Sequence, residues 1–186
     1  MKSIVVFSAV LALSFSAEAH RLDEYLQATR IGIATSRIDL AIDLTPGMAV
    51  AQELLRSIDP HGNARIPPER ERTYAQSVLQ DLVLELDGKR QSIELIRATF
   101  PPCADMELGE GTILLQAAAT ISMLKPGHHE IIFQNAHLPK ISVYLVNALV
   151  PGNKTIQITR QIRDKLQREY RLSFEVLPDI NKIEPR

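Results

Sequence analysis

Tryptophan is absent from the chain, and four tyrosines and five phenylalanines are its only other large aromatics. That scarcity argues against a stacking platform for single-stranded nucleic acid, and against a sugar-binding site. Cysteine occurs once, at Cys103, so no internal disulfide forms. Cys103 has no neighbouring histidine or basic residue to lower its pKa, which removes the usual reason to read a cysteine as a nucleophile. Charge of either sign is not in excess. The formal net charge is −1, and removing one residue of each sign with the N-terminal segment, Lys2 and Glu18, leaves it unchanged. No basic surplus exists to attract nucleic acid or anionic lipid. A glycine-rich phosphate loop, G-x-S-x-G and H-E-x-x-H are all missing. Asp23 and Glu24 are adjacent near the start of a strand and point to opposite faces, a poor geometry for paired carboxylates. No catalytic constellation is visible, and the chain reads as non-enzymatic.

What is present begins with an export signal. Lys2 supplies the charged start, Ile4–Phe15 is almost wholly apolar, and Ala17-Glu18-Ala19 fits the small-x-small cleavage rule. The apolar run is too short to span a bilayer comfortably, and no later run repeats it, so no transmembrane segment is expected after cleavage. No cysteine stands directly after the cleavage point to carry a lipid. The expected location is the periplasm, in soluble form. Cleavage after Ala19 makes His20 the new N-terminus, where an α-amine and an imidazole nitrogen can chelate one metal together. Copper proteins of the histidine-brace type use that arrangement with a second histidine, for which His61, His128, His129 and His137 are the candidates. Imidazole suits copper and nickel.

The stretch from Thr45 to Leu82 alone reads as helical. Thr45 suits an N-cap and Pro46 a first helical position, and Val50, Leu54, Leu55 and Ile58 recur at helical spacing. Pro68 opens a second helix, with Glu69 and Glu71 in its first turn and Tyr74, Val78, Leu79 and Leu82 as its stripe. Each helix has about three turns, marginal alone, so the pair must rest on something else. Between them, Asp59–Arg70 has the outline of a degenerate EF-hand loop. Asp59 and Asn63 stand at ligand positions 1 and 5, but His61 is at 3, Ala64 at 6 and Arg70 at 12. Calcium wants six to eight oxygens, a glycine at 6 and a bidentate glutamate at 12. Calcium is therefore not expected; Asp59, His61 and Asn63 are the residues a metal would use.

Elsewhere the period is two. Tyr25–Ile33 and Arg37–Leu44 read as a hairpin turning near Thr35-Ser36, and Leu82, Leu84 and Leu86 alternate up to a turn at Asp87-Gly88. Gln91–Phe100 reads as the returning strand, with Ile93 and Leu95 inward, ended by Pro101-Pro102. Thr112–Ile121, His129–Asn135, Thr155–Ile162 and Glu169–Leu177 follow. Ile141–Val150 is apolar on both faces and reads as a central strand covered on both sides, with Asn147 hydrogen-bonded within it. About nine strands with regular turn signals predict a mainly β chain: an antiparallel, immunoglobulin-like β-sandwich with an inserted helical hairpin. Residues 20–180 suffice for one domain, and the last residues, 181–186, read as frayed.

His20–Thr29 directly after a signal, and Ile141–Pro151, resemble an uncharacterised family of exported bacterial proteins over most of the mature chain. Members carry a fuller EF-hand loop where this chain has Asp59–Arg70. More weakly, Ala19-His20 and the hairpin Arg160–Arg168 resemble the extracytoplasmic part of membrane proteins of the hydrogenase/urease nickel-accessory type, whose membrane helices this chain lacks. The resemblance implies a location and a fold, with no assigned activity. Export, the missing catalytic constellation and a free helical hairpin point to a binding or accessory protein. Its expected partner is a protein at the membrane, for instance a membrane-embedded metal-handling one, and not nucleic acid. Copper or nickel binding through His20 is the alternative, and a vestigial calcium-binding module a further one.

Overall fold

The computed structural model describes residues 23–178. The expected signal Met1–Ala19, His20 and the final residues 181–186 lie outside the described residues.

Alternation of apolar and polar residues produces strands where it was read. β1 (Tyr25–Ala34) and β2 (Arg37–Pro46) form an antiparallel hairpin in which Ile31, Ile38, Ile42 and Leu44 point inward and are fully buried. Burying each such side chain contributes roughly 1.5–3 kcal/mol against leaving it wet. The chain then passes through α1 (Met48–Ile58) and α2 (Pro68–Gln80) to β3 (Leu82–Leu86) and β4 (Lys89–Arg90). It continues with β5 (Glu94–Thr99), α3 (Cys103–Glu107), β6 (Ile113–Thr120), β7 (Gly127–Asn135), β8 (Ser142–Ala148), β9 (Ile156–Arg163) and β10 (Glu169–Val176). Among the described residues ten strands form two five-stranded sheets, β5-β6-β2-β1-β8 and β4-β3-β7-β10-β9. Inward residues of both sheets, with Leu54, Ile58, Ile66, Ala75 and Val78 from the helical segment, make one apolar cluster. The helices thus bury their stripes against the shared core, as two short helices must.

Three local readings are corrected by the structure. Thr45 and Pro46 do not start a helix; they end β2, where the Thr45 hydroxyl bonds that of Thr112 at 2.8 Å, and Gly47 is the N-cap without a side-chain bond. Pairing with β1 extends to Tyr25↔Pro46 and outweighs the capping signal. The strand after Asp87-Gly88 does not run back along β3. Asp87 and Gly88 take positive φ (51° and 74°), as a tight hairpin turn needs, but only Lys89 and Arg90 pair before the chain crosses to the first sheet as β5. A register shift between Leu95 and Arg97 then resets the alternation, so Ile93, Leu95, Ala98 and Phe100 all pack on the core. Cys103, in the interval that the strand pattern leaves between Pro102 and Thr112, lies in a short helix.

The third correction concerns β8. It is an edge strand, paired only with β1 and in parallel, so the first sheet is not wholly antiparallel. Tyr144 and Val146 enter the core, while Leu145, Leu149 and Val150 are exposed, the last 91 % so. Asn147 is accordingly not buried; its Oδ1 accepts a bond from Arg163 at 2.7 Å. No helix among the described residues is long and apolar enough to cross a membrane.

Candidate functional site

The densest set of buried polar groups gathers around His137, just past the end of β7. Helix α2 ends at Asp81, whose carboxylate lies 2.7 Å from His137 Nδ1. A carboxylate only accepts, so Nδ1 carries the proton and Nε2 is left as an acceptor. Tyr74, on the buried stripe of α2, has its hydroxyl 3.2 Å from Nε2 and 2.7 Å from the hydroxyl of Tyr25 on β1. The donors therefore run in one direction, Tyr25 to Tyr74 to His137 to Asp81. The backbone of His137 is held as firmly. Its carbonyl accepts from Gln27 Nε2, Ser142 Oγ and Tyr144 Oη at 2.9, 3.1 and 2.8 Å, and its N–H donates to Asn135 Oδ1. Gln27, fully buried on β1, closes the ring by accepting from Asn135 Nδ2 at 3.0 Å.

Electrostatics fixes the protonation of this knot. Burial pushes the His137 imidazole below its ordinary value, with the Asp81 carboxylate opposing, so the ring is neutral at pH 7. Burial likewise raises the Tyr25 and Tyr74 phenols far out of reach of ionisation. An acid–histidine–hydroxyl chain has the outline of a catalytic triad. Here Tyr74 and Tyr25 are buried core residues, and the hydroxyls are spent on each other and on the ring. The arrangement binds strands of both sheets to α2, and its chemistry is that of a staple.

The loop between the helices places Asp59, His61 and Asn63 together, but the loop satisfies itself. Asp59 Oδ2 accepts from the backbone N–H and the side-chain amide of Asn63 at 3.0 and 2.7 Å, and Oδ1 accepts from the N–H of His61 at 3.3 Å. Desolvation raises the Asp59 pKa, but these donors together outweigh it and hold the carboxyl below the usual carboxylate range. Donated protons stand where a calcium ion needs lone pairs, so the donor set fits that ion poorly. Cys103 Sγ donates to the Asn63 carbonyl at 3.4 Å, and the two residues share a cleft of about 200 Å³ with Gln52, Arg56, Asp59 and Glu107. Burial and the charges of Asp59 and Glu107 push the thiol up, away from thiolate.

The remaining histidines lie on the far end of β7. His129 Nδ1 faces Asp87 Oδ2 at 2.7 Å and its Nε2 faces the Lys125 carbonyl at 2.8 Å, while His128 Nδ1 faces Glu175 at 3.2 Å. Both ring nitrogens of His129 and of His137 are thus engaged within the protein. Among the described residues no three His, Cys, Asp or Glu side chains converge as a metal-holding group. Sequence reading missed Gln27, Tyr74, Asp81 and Asn135. One signal was available, since Gln27 alternates with Tyr25, Thr29 and Ile31 on the inward face of β1, a polar residue where the pattern demands an apolar one.

A second feature is an exposed apolar patch on the outer face of the first sheet. The strand registers align Val143, Leu26 and Thr45 in one row and Leu145, Ala28, Asp43 and Leu114 in the next. Leu114 and Leu145 are exposed, and Leu26, Val143 and Thr45 line a cleft of about 550 Å³ beside Gly109. Asp43 in that second row makes a bidentate pair with Arg30 of the row beyond, at 2.7 and 3.0 Å. Neither a family model, nor a curated protein, nor a solved structure matches this chain.

Proposed function

We propose that the protein is an exported, soluble, non-enzymatic binding module that engages a protein partner at the membrane, a metal-handling one being the first candidate. The two sheets on one core support reading the fold as an immunoglobulin-like sandwich with an EF-hand-like insertion. The observation that carries the function is the apolar patch of Leu26, Val143 and Leu145, which line one cleft on the outer face of the first sheet. Scattered exposed leucines need no explanation, but a contiguous patch rimmed by charges marks an interaction surface. The hydroxyls and the imidazole that resemble catalytic machinery are buried, and Asp81 alone of that chain reaches the surface, which supports the same reading.

A photo-cross-linking residue at Leu145, with a control at Arg171 on the outer face of β10, tests it in the envelope of the native host. The expected outcome is one protein adduct formed from Leu145 and not from Arg171. Equal adducts from both positions, or none beside turnover of a substrate by the purified chain, would contradict it.

A further inference from the structure

Two clefts meet along the edge of β5. One, of about 710 Å³, is bounded by Gln80, Arg90 and Glu94; the other, of about 450 Å³, by Glu71, Arg72 and Arg97. Gln76 of α2 and Leu95 of β5 line both, so the clefts form one continuous groove between helix and strand. The consecutive residues Leu95, Ile96, Arg97 and Ala98 all line it. Successive side chains of a strand point to opposite faces. The register shift between Leu95 and Arg97 breaks that alternation here, so four in a row border the groove that runs between α2 and β5. β5 stands at the end of its sheet, paired with β6 alone, and among the described residues no backbone bond reaches across its outer side. The opposite end of the sheet differs. There the Val146 carbonyl of β8 already accepts from Arg163 Nε at 2.8 Å. An open edge is a template for another strand unless something covers it.

Charge narrows the choice of strand. Arg72, Arg90 and Arg97 border the groove, and none is in an ion pair among the described residues, against two carboxylates, Glu71 and Glu94. We propose that this groove takes an extended peptide segment of the partner protein, added as a strand to β5, whose carboxylate side chains meet Arg72, Arg90 and Arg97. Main-chain bonds to β5 supply affinity in this mode, and side-chain contacts supply selectivity. The inference rests on the binding reading above and names a surface and a partner chemistry for it.

The test uses the full folded chain and three end-capped fluorescent decapeptides: alternating Thr and Glu, alternating Thr and Lys, and the acidic peptide N-methylated at every second residue. Saturable anisotropy change is expected with the acidic peptide, with the lysine and N-methylated peptides at least tenfold weaker. Arg72→Glu with Arg97→Glu lowers acidic-peptide affinity at least tenfold, whereas Lys154→Glu, which adds the same kind of charge change elsewhere, leaves it within twofold. Both arginines are exposed, so the double variant is expected to fold, and circular dichroism matching the parent checks it. Equal binding of acidic and basic peptides, binding indifferent to N-methylation, or binding indifferent to the double substitution overturns the assignment. A self-association removed by the same double substitution also overturns it, because a second copy then fills the groove. If peptides fail but Leu145 still cross-links to one protein, the groove assignment falls and the binding reading survives.

Discussion

Two histidines of opposite character set the pH response of this fold. His137 is neutral in its knot because burial outweighs the pull of Asp81. For His129, burial lowers the pKa, but the Lys125 carbonyl, Asp87 and Glu175 together outweigh it and raise the value. Only an imidazolium donates to the Asp87 carboxylate and the Lys125 carbonyl at once, which gives that shift its geometry. A raised folded pKa gives stability that is complete below the unfolded value of about 6.5 and is lost as pH rises through the folded one. A lowered folded pKa gives stability that is complete above about 6.5 and is lost as pH falls through the folded one. Urea midpoints across pH 5 to 9 therefore separate the two. His129→Asn costs most at the acid end and progressively less toward pH 9. His137→Asn costs about 2–4 kcal/mol at pH 8, from lost packing and orphaned hydroxyls, and less on acidification. Parallel pH profiles for the two variants would refute both assignments. None of this was legible beforehand, because His137 and Tyr74 are 63 residues apart and only the folded topology brings them together.

At the scale of elements, periodicity carried most of the information. The hairpins of β1 with β2 and of β9 with β10, the buried row of β6 and the stripe of α2 follow directly from alternation or helical spacing. What alternation does not encode is the partner of a strand. β8 has the apolar composition of a central strand and lies at an edge, and β5 changes sheets after a two-residue β4. The short helix α3 also escaped, since five residues present no period. Its return to β6 is tight enough to test. A Cβ placed on Gly111 would sit 2.7 Å from the Met106 backbone nitrogen, a contact that moving a side chain does not relieve. Gly111→Ala should cost about 1–3 kcal/mol by overpacking, read as a lower urea midpoint with unchanged slope. A variant as stable as the parent would show that the turn before β6 is looser than described. The two helices with a loop between them were legible from helical spacing. That Asp59 consumes its own oxygens on Asn63 and His61 was not, because only coordinates show where donors point.

For the molecule as a whole, polar groups and exposed apolar groups are segregated. Buried hydrogen bonds are concentrated where α2 and both sheets meet, whereas the outer face of the first sheet and its β5 edge carry exposed apolar residues such as Leu114, Leu145 and Ile96. Such a division suits a protein that works by being held against another. The measurement that tests this most directly is backbone hydrogen exchange on the folded chain, with and without solubilised envelope from the native host. Binding through the first sheet predicts added protection in β5, β6 and β8, with β9 and β10 unchanged. Protection confined to β9 and β10, or exchange indifferent to the envelope fraction throughout, would contradict it.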